Sequence, residues 1–171
     1  MINIKIILFL LAGTLFFFLL LRWQGKVLIF DQSPAGIVSL ELAVNEERTA
    51  NIVEGWTTEG VITNARNNIL IDFLFIPFYV MLFYTLCGSI SVRTHGRIAT
   101  MGVLLAFFSL IAGFFDVIEN CFMLASTYLL YSQLTAMLTA FFAASKFILL
   151  LLALVYVILL GSPLLIKKMR A

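Results

Sequence analysis

The sequence predicts an all-α membrane protein: a four-transmembrane-helix up-down bundle with a structured extracytoplasmic loop between helices 1 and 2. Three observations predict it. Apolar residues make up 63% of the 171-residue chain, charged residues only 12%, and mean hydropathy is +1.10, whereas a soluble domain sits near ~45–50% apolar and ~25% charged. The excess is gathered into four long runs. Lys and Arg, finally, fall on alternate connections in a pattern that orients those runs. The net charge of +2 is too small to argue for nucleic acid, and none is expected as a partner. The lipid bilayer is.

The first run, IILFLLAGTLFFFLLL, extends from Ile6 to Leu21 between Lys5 and Arg22. A span needs roughly 20 apolar residues, so it is expected to borrow a few more and cover about 6–24. No small-x-small cleavage site follows, which reads as an uncleaved anchor rather than a signal peptide. The other spans are expected at about 69–92, 98–130 and 134–166, all within a single membrane domain, 1–171. With four spans, Lys5, Arg93, Arg97, Lys167, Lys168 and Arg170 share one side. Arg22, Lys26, Arg48 and Arg66 share the other, diluted by Asp31, Glu41, Glu46, Glu47, Glu54 and Glu59. The positive-inside rule then puts both termini in the cytoplasm and the loop 25–68 outside. The KKMR tail reads as an interfacial anchor on anionic lipid.

That loop carries local order. DQSPAG supplies a turn through Pro34 and Gly36. IVSLELA fits either a short strand or the start of a helix. Asn45 before Glu46 and Glu47 is a helix N-cap with acids in the first turn. In EERTANIVEGW, the spacing of Ala50, Val53 and Trp56 predicts an amphipathic helix, lying on the bilayer surface or on the tops of the spans. Thr57 or Thr58 would cap a helix running straight into the second span.

Chemistry concentrates in GFFDVIENCFML, residues 113–124. Asp116, Glu119 and Asn120 are spaced i, i+3, i+4 and so share one helical face, which Ala112, Gly113 and Met123 extend. Antiparallel hairpins place residues equally far from a turn at equal depth. A turn centred near His95 sets Asp72 level with about residue 118. A turn near Tyr131 and Ser132 sets Asp116 level with Lys146. Counting helical rise from Arg97 to Asp116 and from Lys167 to Lys146 gives about 30 Å each, so this layer is expected near the outer boundary of the bilayer, with Arg22 and Trp23 at the same level. Tyr79 shares a face with Asp72 and Ile76, and Pro77 should bend that helix.

Charges at such depth normally face the bundle interior and pair. A salt bridge between Asp116 and Lys146 is expected, with Asp72 and Glu119 completing the network. The candidate site is therefore Asp72, Tyr79, Asp116, Glu119, Asn120 and Lys146. One role is a polar clamp that fixes helix register. A second is a site for a small cation, a proton, an amine or a lipid headgroup, because the acids outnumber the ammonium; were it a metal such as Mg²⁺ or Ca²⁺, Asp72, Asp116 and Glu119 would be its oxygen ligands. A third is catalysis on a lipid or isoprenoid, with one carboxyl kept protonated by burial to act as a general acid. No cofactor or catalytic residue is specified.

Other chemistry is disfavoured. Cys87 and Cys121 fall at different depths, so a disulfide is not expected, and no CxxC is present. A lone His95 rules out bis-His haem within one chain, no serine has a His partner for a triad, and four spans are too few to enclose retinal on Lys146. The strings GIVSLELA, Trp56, LIDFLFIPFY (70–79) and FDVIEN (115–120) resemble a set of small bacterial membrane proteins over about residues 36–124. The resemblance implies a bacterial inner-membrane protein and carries no reaction. Gly and Ala faces on the third and fourth spans permit a homo-oligomer or a membrane-complex partner.

Overall fold

A computed structural model describes residues 4–169, with side chains described for 4–161. The KKMR anchor expected at the C-terminus lies outside the described side chains. The chain is all-helical, 84% helix, without strands among the described residues. Six α-helices follow in order: α1 (Ile4–Gln24), α2 (Ile37–Glu41), α3 (Glu46–Thr58), α4 (Ile62–Ser91), α5 (Gly96–Ser126) and α6 (Gln133–Met169), with a short 3-10 helix Gly25–Leu28 after α1. Four of them, α1, α4, α5 and α6, are long and apolar enough to cross a membrane.

Side-chain contacts pair α4 with α5, and α5 with α6, in reverse order along the chain. Along α4 and α5, Arg66 reaches Thr127, Asp72 reaches Asn120, Tyr79 reaches Asp116 and Ser91 reaches Ala99. Along α5 and α6, Asp116 meets Lys146 while Ile98 meets Tyr156. Close approach comes from small residues. A Cβ on Gly102 would run into the Tyr156 hydroxyl, Ser91 Cβ and the Cys87 carbonyl, and one on Gly113 would run into Val80. α1 packs on α4, where Phe78 lies against the bare face of Gly13. Leu10 is the one buried residue of α1; Gly13, Phe17, Leu21 and Gln24 are half-buried on the α4 side, and the opposite face is exposed.

The segment between α1 and α4 folds into a cap on one end of the bundle. Leu28, Leu40, Ala43, Ile52, Val53 and Trp56 form one core with Ala65 and Ile69 of α4 and Met123 of α5. Trp56 Nε1 donates to the Leu28 carbonyl and to Ser33 Oγ, both at 3.0 Å. These bonds draw the 3-10 turn, the 33–36 turn and α3 together, as a buried indole N–H requires. Asn45 caps α3 as expected, its Oδ1 accepting from the Arg48 amide at 2.8 Å. The apolar side of α3 rests on the tops of the long helices. Glu46 and Gln133 exchange bonds between the backbone amide of each and the side-chain oxygen of the other, tying α3 to the start of α6.

Several expectations need correction. Of the two readings open for IVSLELA, the helix is the one that forms, as α2 over Ile37–Glu41. α3 does not run straight into the second span: Gly60, at φ +72°, breaks the chain after Thr58, and Thr57 Oγ1 bonds back to Val53 within α3 instead of capping. α4 begins at Ile62 rather than 69, because Ala65, Asn68 and Ile69 are buried under the cap, so the cap segment is 25–61 rather than 25–68. α5 stops at Ser126 rather than 130, since the chain turns at Leu129, which has φ 63°.

Candidate functional site

The expected layer assembles from four segments rather than three. The Nζ of Lys146 lies 2.6 Å from Asp116 Oδ1, 2.8 Å from Glu119 Oε2 and 3.8 Å from Glu41 Oε2. The other oxygen of Asp116 accepts from the Tyr79 hydroxyl at 2.6 Å. Asn120 Nδ2 donates to Asp72 Oδ2, also at 2.6 Å. All six residues selected from the sequence thus meet in two linked contacts, one around Asp116 and one around Asp72.

Local sequence explains the convergence. The i, i+3, i+4 spacing on α5 turns Asp116, Glu119 and Asn120 inward together, and these are 3%, 0% and 0% exposed. Gly113, one turn before Asp116, lets α4 come close enough for Tyr79 to reach across. Lys146 projects from α6 with Ala143 beneath it, itself wholly buried. Asp72 is only half-buried and forms the outer margin of the cluster.

Glu41 is the residue that sequence reasoning missed as a member. It ends α2 between buried Leu40 and Ala43, while Leu42 and Val44 face out. Those flanking side chains key α2 into the cap core and aim the carboxylate at Lys146. One signal was available: an acid embedded in the apolar string IVSLELA. Its helix is entered from Gly36, whose φ of +60° favours a residue without Cβ. Burial pushes the Glu41 carboxyl above its usual range; Lys146 pulls it down and Asp116 adds to the rise, and burial prevails.

Arg22 and Trp23, expected at this level, do not join the cluster. Both are exposed, Trp23 at 70%, because α1 stands against α4 alone. The polar link from α1 is Gln24, which meets Asn68: Asn68 Nδ2 donates to Gln24 Oε1 at 2.5 Å and to the Leu21 carbonyl at 3.1 Å. Cys87 is buried, Cys121 is exposed, and both are free thiols.

Two features define what the cluster can do. First, the acids outnumber the cation: Glu41, Asp72, Asp116 and Glu119 face one ammonium. Second, acceptors are left over. Both oxygens of Glu119, Glu41 Oε2 and Asn120 Oδ1 are buried without a hydrogen-bond donor. Glu119 Oε2 gains the charge of Lys146 at 2.8 Å but not a well-directed N–H. Buried acceptors are normally satisfied, so these mark room for a positive species. No group of three His, Cys, Asp or Glu side chains among the described residues is arranged to hold a metal ion; the ammonium itself stands between the carboxylates. A separate open concavity of about 700 Å³ lies on the cap between Gln32 and α3. It shares no residue with the buried cluster, and its acids are solvated.

The arrangement defines a class, a helical chain with four membrane-spanning-capable helices and a buried carboxylate–lysine layer. No protein-family model, curated protein or solved structure matches the chain.

Proposed function

We propose that this chain is a bacterial inner-membrane protein, an up-and-down bundle with both termini in the cytoplasm and its cap outside, whose buried layer is an occluded small-cation site in a binding or membrane-complex accessory protein. The observation that carries the reading is the set of donor-less buried oxygens on Glu119 and Glu41 beside a single, already committed ammonium. Net negative charge buried at membrane depth is costly, and a bound cation, the proton included, relieves it. The cap supports occlusion, because Glu41 and the Leu40–Ala43 core close the cluster from the side on which the loop lies. The orientation rests on the distribution of Lys and Arg. A lipid- or isoprenoid-modifying enzyme would need its carboxyl open to the bilayer, and Glu119 is fully buried.

The test is thermal melting of the purified full chain, wild type and Glu119→Gln, in buffers that vary pH, Na⁺, K⁺, Mg²⁺ and Ca²⁺ one at a time. One of these variables should stabilise the wild type, by about 2.7 kcal/mol at a hundredfold excess over Kd, and the variant should fold but lose that response. Mass spectrometry of protein drawn from native membranes reads any metal or lipid carried along. Collapse of folded yield in both Glu119→Gln and Asp72→Asn, with no response of the wild type to any cation, would make the layer a register clamp.

A further inference from the structure

Lys146 supplies one positive charge, and Asp116 has first claim on it. That carboxylate takes the shortest contact to Nζ and a second donor from Tyr79, which suits the ionised form. Asp72 draws on Asn120. Glu41 and Glu119 are left to share what remains. Their Oε2 atoms lie 3.8 Å and 2.8 Å from the same nitrogen, so both carboxylates depend on one ammonium. Neither of these oxygens has a hydrogen-bond donor, nor has Glu119 Oε1.

Two like charges brought this close in a site shut off from water favour retention of a proton on one of them. A metal ion would need a shell of oxygens around a vacant centre, and here the ammonium stands at that centre. A proton adds no volume, and it converts two competing acceptors into one donor and one acceptor. We infer that Glu41 and Glu119 form a proton-binding pair, which holds one proton between the cap and α5 and exchanges it with the outer aqueous face through Glu41. This rests on the cation-site reading and names its cation. Loading forms one O–H bond on a glutamate as the O–H of a hydronium or buffer acid breaks; no electron moves. The groups facing the pair are Asp72 and Tyr79 from α4, Asp116 and Asn120 from α5 and Lys146 from α6. Glu41 is the member suited to exchange, since it alone stands outside the long helices and keeps slight exposure, 8% against 0% for Glu119.

Infrared spectroscopy of the full chain in lipid nanodiscs at neutral pH tests this through the carbonyl band of a protonated carboxylic acid. The wild type should show that band, and ¹³C-glutamate labelling should shift it. Glu41→Gln and Glu119→Gln should each remove it, because the remaining carboxylate no longer has the other glutamate's charge against it and ionises beside Lys146. Exchange of Na⁺ for K⁺ should leave it unchanged. Absence of the band, or a band insensitive to glutamate labelling and therefore carried by an aspartate, overturns the pair. The labelling arm needs no variant to fold. If the band is absent but Na⁺, K⁺ or a divalent ion stabilises the wild type in melting, the pair fails while the cation site stands. If neither pH nor any cation moves the protein, both fail.

Discussion

Glu41→Gln keeps the shape of a side chain that is 8% exposed and removes its ability to ionise. In the folded chain, burial raises this carboxyl above its reference value of 4.5. The sign follows from linkage. A carboxyl whose folded value exceeds its unfolded value binds more protons folded than unfolded between the two. Its contribution is fully present below 4.5 and is lost as pH rises through the raised folded value. One such group changes stability by about 1.4 kcal/mol per pH unit across that window. The wild type should therefore lose stability above pH 4.5 more steeply than Glu41→Gln, and the difference between the curves reports the proton that Glu41 shares with Glu119. The assay is unfolding in mixed detergent micelles followed by tryptophan fluorescence. Trp56 is buried and Trp23 exposed, so a Trp23→Phe background leaves one reporter inside the cap. Parallel curves for the two proteins from pH 4.5 to 8 would refute the reasoning, because a solvated Glu41 has no cause to titrate differently in the two states.

Two further changes probe the packing that builds the site. Tyr79→Phe deletes the hydroxyl that donates to Asp116 at 2.6 Å and should cost about 1.5–3 kcal/mol, the range for a bond to a charged group, read by thermal shift. Gly102→Ala places a methyl against the Cys87 carbonyl and Ser91 Cβ, neither of which can swing aside. It should lower stability by about 1–3 kcal/mol, measured in the same way.

Much of the layer was legible because short hairpins fix depth. The turn near His95 sets Asp72 level with about residue 118, close to its partner Asn120, and the turn near Tyr131 sets Asp116 level with Lys146, with no knowledge of side-chain contacts. Helical phase then decides that Asp116, Glu119 and Asn120 face one way. Glu41 escaped because neither rule reaches it. Its position depends on a cap closed by Trp56 across nearly thirty residues of chain (Leu28 to Trp56) and on a left-handed Gly36, neither of which leaves a periodic trace. Arg22 and Trp23 stay outside the cluster for a different reason. α1 is apolar all round, so its sequence does not say which face meets the bundle. The early start of α4 was hidden because NARNN reads as polar loop until the cap is seen to bury Ala65 and Asn68.

The central claim is that acids from the middle helices and the amine of the last meet in one buried layer, and a double-mutant cycle between Asp116 and Lys146 tests it most directly. Lys146→Met alone should cost about 3–5 kcal/mol, since it leaves buried carboxylates unpaired. Combining it with Asp116→Asn should recover part of that loss, with a coupling of about 0.5–3 kcal/mol. Single-variant losses that add to within about 0.3–0.5 kcal/mol would contradict the 2.6 Å contact and the layer built on it.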